Sequence, residues 1–341
     1  MLAGIRDRIS PLGFGSSAIG NLYRPIDDAQ ACATVQSALA EGILYLDSAP
    51  HYGFGLSEKR LGAALAQLDP RQSVVVSTKV GRRLDPRPNI DLSQVRQGFV
   101  SPEPFESVFD YSYDAVMLSY EESRARLRRD IDVLYVHDLG RRTHGDQHSK
   151  LIAEFMSGGY RALRELRDGG AVQAIGLGVN EWEVCEEALA HGEFDIMLLA
   201  GRYTLLEQSA LDTFLPLCER RKVSIVVGGP YNSGILAHDS RNGTRRQKPL
   251  MYEYQPAPPA VVARVTALEA VCERHEVPLA AAALQFPLAH PQVISVIPGM
   301  GNPDEVRGAK EWLTWRIPAA FWTELRAQGL IRPDAPLPVT A

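Results

Sequence analysis

Short, unbroken apolar runs alternate along the chain with stretches in which apolar residues recur every three to four positions. The runs fall at 12–19, 43–46, 74–80, 132–138, 172–180, 195–199, 224–228 and 293–298, with 74–80 especially rich in β-branched residues. A small hairpin is expected ahead of the first. Between the runs, the helical period predicts a helix opened by Asp27, with Ala31, Val35, Ala38 and Leu39 on one face and Gly42 at its end. A second helix over 57–68 is expected to be capped by Ser57. Others follow at 119–129, up to 160–167 before Gly169 and Gly170, and at roughly 181–190, 208–221, 259–275 and 303–311.

Strands without polar alternation are strands buried on both faces, which is the mark of a parallel sheet covered by helices. Eight such strands alternating with helices, with no long linker, favour closure into an α/β (β/α)8 TIM barrel over an open doubly wound sheet. The expectation is one domain over 1–341, a length that such a barrel with loop insertions fills. Two connections, 81–117 and 231–256, are too long to be simple loops. Both follow strands, so both belong to the C-terminal face, where barrel enzymes keep their sites. The second holds Arg245, Arg246 and Lys248, which suit either a solvated loop or a lid over a cofactor pyrophosphate.

Composition narrows the partners. A net charge of −5 offers no electrostatic case for nucleic acid or an anionic membrane. No apolar run approaches the ~20 residues of a membrane span, and the N-terminus lacks a signal-peptide core, so a soluble, cytoplasmic protein is expected. Cys32, Cys185, Cys218 and Cys272 lie far apart without metal-ligand spacing and read as buried free thiols. His51, His137, His144 and His148 could approach one rim, but no carboxylate spacing accompanies them, so solvated loop histidines are expected rather than a metal site. Gly176-Leu-Gly178-Val-Asn-Glu181 follows a strand, yet it ends in Glu where a dinucleotide fingerprint needs its third Gly.

The chemistry gathers at strand ends. Asp47 closes the second run and Tyr52 follows it, while Lys79 and His137 close the third and fourth. A barrel brings all four to one rim. A Lys beside a Tyr favours the phenolate, an acid beside the Lys holds it charged, and a neighbouring His can orient a carbonyl or hydroxyl oxygen. The set is a proton-transfer device for interconverting carbonyl and alcohol. With no nucleophile and no metal ligands in it, the hydride must come from a cofactor.

Asp47-x4-Tyr52-Gly53, Ser57-Glu58-x2-Leu61-Gly62, Ser77-Thr78-Lys79 and Tyr135-Val136-His137 resemble the aldo-keto reductase superfamily, over nearly the whole chain. The resemblance implies Tyr52 as acid/base of a tetrad with Asp47, Lys79 and His137, and NAD(P) bound extended across the C-terminal face. The positions it implies for cofactor contacts are Gly15, Ser16, Asp47, Asn180, Tyr231, Ser233, Gly234, Gly299, Met300 and Glu305. Val179 and Ala200 replace a Ser and a Gln that usually help hold the carboxamide. Gly299 and Glu305 replace the Lys and Arg of NADP-preferring members, which points to NAD; Arg307 nearby leaves NADP open.

Residues 12–17 and 200–208 look most like the branch of sugar dehydrogenases that act at C1, with pyridoxal and galactose dehydrogenases as near relatives. Ser17 and Asp138 stand where reductases of apolar carbonyls carry Trp, so a polar pocket for a small hydroxylated ring is expected. The implied reaction is oxidation of the C1 hydroxyl of an aldose of the L-fucose, L-galactose or D-arabinose type to its lactone. Pyridoxal oxidation is the alternative, and a nucleotide-binding regulatory subunit a third reading. The oligomeric state leaves no mark in the sequence.

Overall fold

The computed structural model describes residues 2–237, 250–253 and 255–338. Its centre is a sheet of eight parallel strands paired in chain order. They are β1 (Phe14–Gly15), β2 (Tyr45–Asp47), β3 (Val75–Val80), β4 (Val133–His137), β5 (Ala174–Val179), β6 (Ile196–Ala200), β7 (Ser224–Gly228) and β8 (Val293–Ile297). The ring closes between β8 and β1, where Gly13 N donates to Val296 O at 2.9 Å and Gly15 N to Pro298 O at 3.0 Å. The TIM barrel expected from the apolar runs is therefore the architecture observed.

Alternate strand residues serve two cores. Tyr45, Val75, Val133, Tyr135, Ile196, Leu198, Val226 and Ile297 fill the barrel interior, while Leu46, Val76, Leu134, Ile175 and Val227 pack outward against helices. Burial on both faces is why the strands read as continuous apolar runs. Ile5 and Ile9 join the interior cluster and close the N-terminal end. They belong to a segment that opens with the helix Leu2–Arg6, where the sequence suggested a hairpin.

Several boundaries differ from the periodicity, each for a local reason. The first run yields only two strand residues, because Ser16–Gly20 turns into a 3₁₀ helix ended by Asn21 in the left-handed region. Gly15 is pressed against β8, so that a Cβ there would lie 2.9 Å from Pro298 O. Asp27 does cap Asp28–Ala40, accepting from Gln30 N at 2.7 Å. Ser57, by contrast, is no cap: Gly55 (φ 100°) starts the helix Leu56–Leu68. The Ser57 hydroxyl instead ties that helix to Ser16 O at 2.8 Å and Ser16 Oγ at 2.7 Å.

Helix Leu279–Leu288 was missed because nearly all of it is buried, so no polar face marks a period. The 81–117 connection is partly ordered structure, an antiparallel hairpin of Arg82–Pro86 with Phe105–Phe109, followed by a helix from Tyr113 to Leu127 capped by Ser112. Helices also occupy Arg141–His144 and His148–Glu154. The basic cluster at 245–248 lies outside the described residues. Cys185, Cys218 and Cys272 are buried free thiols and Cys32 is half-buried; burial pushes the Cys218 and Cys272 thiols up to about 12. No helix among the described residues is long and apolar enough to cross a membrane.

Candidate active site

β2, β3 and β4 deliver their last residues to one end of the barrel, and there Lys79 becomes a hub. Its Nζ donates to Asp47 Oδ2 at 2.6 Å, to Ser48 O at 2.8 Å and to Tyr52 Oη at 3.2 Å. Asp47 and Lys79 are both essentially removed from solvent, at 2% side-chain exposure each. Burial opposes the ammonium, but Asp47 and Tyr52 outweigh it, and the Lys79 pKa is raised. Burial likewise pushes the Asp47 carboxyl up, against the pull of Lys79 and Ser77. The ammonium lies 4.7 Å from the centre of the Tyr52 ring.

Beneath the pair runs a chain of buried hydroxyls. Ser77 Oγ donates to Asp47 Oδ1 at 2.7 Å. Since a carboxylate only accepts, Ser77 spends its proton there, so Tyr45 must donate to Ser77 (2.9 Å) and Tyr135 to Tyr45 (3.0 Å). Burial drives the pKa of both phenols upward and keeps them neutral donors. Asp47 is thus held from both oxygens.

His137 faces Tyr52 edge-on, with ring centres 6.1 Å apart. Burial, then the charges of Lys79 and Arg82, push its pKa well below the ordinary value, so it is a neutral imidazole. Tyr52 and His137 share the wall of a cavity of about 530 Å³ that also exposes Ser17, Tyr23, His51, Arg82, Gln97, Phe99 and Asp138. Arg82 comes from the hairpin after β3; its guanidinium donates to Asp138 Oδ2 at 2.7 Å and Gln97 Oε1 at 3.0 Å. Asp138 sits in the left-handed backbone region (φ 53°), a strained conformation for a non-glycine residue directly after β4. Its other oxygen accepts from Asn180 Nδ2 at 3.1 Å. Arg82, Gln97, Tyr23, Phe99 and His51 were not singled out from the sequence as site residues. All but His51 lie on irregular segments or hairpins whose packing no periodicity reveals; His51, expected as a solvated loop histidine, instead packs against Phe54, Phe99 and His137.

A second cavity, about 970 Å³, adjoins the first: Ser17, Tyr23, Asp47, Tyr52, Leu198 and Ala200 line it, and all but Asp47 also line the smaller one. It takes in Gly15, Tyr231, Ser233, Gly234, Gly299, Met300 and Glu305. Gly229 and Gly234 line it with positive φ and open space where a Cβ would stand, and the buried Tyr231 hydroxyl has no partner among the described residues. Such a trough of bare backbone and an unsatisfied phenol fits an extended dinucleotide. Asn180 and Ser233 meet at a smaller cavity beside it, with Arg142, Arg202 and Glu253. Ser16 is buried against Ser57 and lines none of the three cavities. Glu305 accepts from Arg24 (2.6 Å), Gly301 N (2.7 Å) and Asn302 (2.8 Å) at the start of helix Pro303–Leu313. Arg24 is the charge near Glu305 that the sequence reading did not include; Arg307 pairs instead with Asp304. His144 is bonded to Tyr111 (2.8 Å), whose hydroxyl also donates to His137 O (2.9 Å), and His148 to Glu187 (2.8 Å); neither lines the cavity with His51 and His137.

The profile of the Aldo/keto reductase family matches residues 11–328. The chain belongs to this family. As an aldo/keto reductase it is an NAD(P)-dependent oxidoreductase acting on a small molecule. It is 42% identical over 334 residues to pyridoxal 4-dehydrogenase of Microbacterium luteolum, covering 95% of each chain. It is 39% identical over 326 residues to D-threo-aldose 1-dehydrogenase of a Pseudomonas species, again covering 95% of each. Among solved structures it resembles the holo form of aldo-keto reductase AKR11C1 from Bacillus halodurans, with TM-score 0.70, 25% identity, and coverage of 95% of this chain and 93% of that one.

For this aldo/keto reductase the geometry makes one group the test of the rest. Among the described residues, only Tyr52 combines a hydroxyl on the shared wall with a hydrogen bond to Lys79. Tyr52→Phe is expected to lower turnover by roughly 10²- to 10⁴-fold, the usual worth of a general acid–base group, with dinucleotide affinity unchanged. Turnover of the variant above about a tenth of wild type at saturating substrate, measured at the reduced-nicotinamide absorbance, rules that role out.

Proposed function

We propose that this chain is a cytoplasmic, single-domain dehydrogenase that oxidises a cyclic hemiacetal, foremost the C1 hydroxyl of an aldose, to the lactone. The observation that carries the reading is the polar wall facing Tyr52 and His137. His51, Arg82, Gln97 and Asp138 line a cavity of about 530 Å³, where an enzyme for apolar carbonyls needs hydrophobic walls. Such a site bonds ring hydroxyls and disfavours analogues without them, because its own polar groups are then left unpaired.

In the proposed reaction Tyr52, as phenolate, takes the proton of the C1 hydroxyl while Lys79 stabilises the phenolate. His137, as a neutral donor, orients the same oxygen. Gly15, Tyr231, Ser233, Gly234, Gly299 and Met300 would hold the dinucleotide, which when bound accepts the hydride from C1. Asn180 is the proposed carboxamide ligand. With one Nδ2 hydrogen committed to Asp138 and its backbone carbonyl to Arg202, its side-chain Oδ1 is left to accept from the amide.

A second reading, pyridoxal as the hemiacetal, is favoured by the 42% identity to a pyridoxal 4-dehydrogenase and by the aromatic walls Tyr23 and Phe99. Comparing kcat/KM for L-fucose and pyridoxal with NAD separates the two. The proposal expects L-fucose, L-galactose or D-arabinose to be the better substrates; a clear preference for pyridoxal overturns the sugar reading, and activity on neither overturns both.

NAD is the proposed cofactor, because Glu305 places a carboxylate at the edge of the larger cavity and engages Arg24, the nearby cation. A 2′-phosphate would meet the acid, whereas a free ribose hydroxyl can donate to it. Glu305→Gln removes the repulsion and releases Arg24, so the kcat/KM ratio of NADP to NAD is expected to rise by about tenfold, roughly 1.4 kcal/mol. A wild type that already prefers NADP, or a variant with an unchanged ratio, contradicts this assignment.

A further inference from the structure

His51 belongs to the same wall as Tyr52 and His137, and the proposed reaction gives it no task. Its ring is held edge-on to Phe99 at 5.3 Å, tilted against Phe54 at 5.7 Å and edge-on to His137 at 6.0 Å between ring centres. Its Nδ1 is sealed from solvent with no hydrogen-bond partner among the described residues, and so is Nδ1 of His137. A buried N–H without an acceptor is a rare and costly arrangement. Both rings therefore place the proton better on Nε2; that of His137 lies 3.5 Å from Asp138 Oδ2, at the edge of hydrogen-bond range, and that of His51 is left to meet a ligand in the cavity. The site then offers two neutral N–H donors side by side, one for the reacting oxygen and one beyond it.

We infer that His51 is a specificity-determining residue whose Nε2–H bonds a hydroxyl on the carbon next to the reacting carbon. Two hydroxyls on adjacent carbons lie within hydrogen-bond distance of one another, which suits donors on rings 6.0 Å apart. Burial, then Arg82 and His137, keep the His51 imidazole uncharged, so it suits a neutral hydroxyl better than a carboxylate or phosphate. Arg82 and Asp138 are already paired with each other and with Gln97 and Asn180, whereas His51 makes only ring contacts among the described residues and stands next to His137. If His51 only filled the wall between Phe54 and Phe99, a third phenyl ring would do as well, and that difference can be measured.

The inference rests on the proposed hemiacetal oxidation, and a paired-substrate cycle tests the two separately. D-Arabinose and 2-deoxy-D-ribose differ only in the hydroxyl on C2, so their kcat/KM ratio reports recognition of that group and cancels changes common to both. In His51→Phe the ratio is expected to fall at least about tenfold toward unity, while His51→Gln, which keeps an N–H donor, retains most of it. His51→Leu carries the same comparison if the Phe variant does not fold. A ratio unchanged in His51→Phe, or lowered equally in His51→Gln, overturns the inference and leaves the proposed function standing. A wild type that oxidises D-arabinose without discriminating also overturns it alone. A wild type that oxidises neither of these sugars, nor L-fucose or L-galactose, brings down the proposed function and the inference with it.

Discussion

Placing an ammonium and a carboxylate at 2% exposure costs several kcal/mol per ion before they meet. The pair of Lys79 and Asp47 recovers this because all three ammonium protons and both carboxylate oxygens are hydrogen-bonded. Lys79 bonds Asp47, the Ser48 carbonyl and Tyr52, and Asp47 accepts Ser77 on its other oxygen. The barrel makes that possible. Strand register sets Asp47 opposite Ser77 and Lys79 opposite Tyr135, so the partners are held by backbone ladders and not by loops. The same ammonium keeps Tyr52 beside a cation, and the proposed acid–base chemistry depends on it.

Around this fixed centre, polar contacts pass from one strand end to the next. Arg82 from the hairpin after β3 binds Asp138 after β4, and Asp138 binds Asn180 after β5. Arg202 after β6 donates to the Asn180 carbonyl at 2.6 Å and pairs with Glu253. The substrate wall and the expected carboxamide position are therefore not independent: a change at Asp138 reaches both. The left-handed backbone of Asp138 is the strain that this arrangement retains.

Most of the fold could be read from the chain because parallel barrel strands are buried on both faces and lose polar alternation. Ala174–Val179 is apolar on both sides for that reason, and Val75–Val80 is buried along its whole length although it carries Ser77, Thr78 and Lys79. Asp47, Lys79 and His137 were legible as well, each being the polar residue that ends such a run. The rest was hidden where no period exists. Leu279–Leu288 is buried all round, and Arg82 and Phe99 enter the site through a Pro- and Arg-rich connection whose hairpin pairing the sequence pattern does not encode. Ser57 looked like a helix cap because its residue type and position fit one, yet tertiary contact with Ser16 claims its hydroxyl. Glu305 was legible as an acid after the last strand, and it lines the larger cavity, but its partner Arg24 is 281 residues away in sequence.

The central claim is that the buried Lys79 ammonium, held by Asp47, is what favours the phenolate of Tyr52. The pH dependence of single-turnover hemiacetal oxidation, compared between wild type and Lys79→Met, tests it most directly. An ammonium beside a phenol favours the phenolate, and one pH unit corresponds to about 1.4 kcal/mol of that preference. The account predicts that the pH of half-maximal rate moves upward by at least about one unit when Lys79 is replaced. A variant that is uniformly slower at every pH, with the midpoint where wild type has it, would contradict the account.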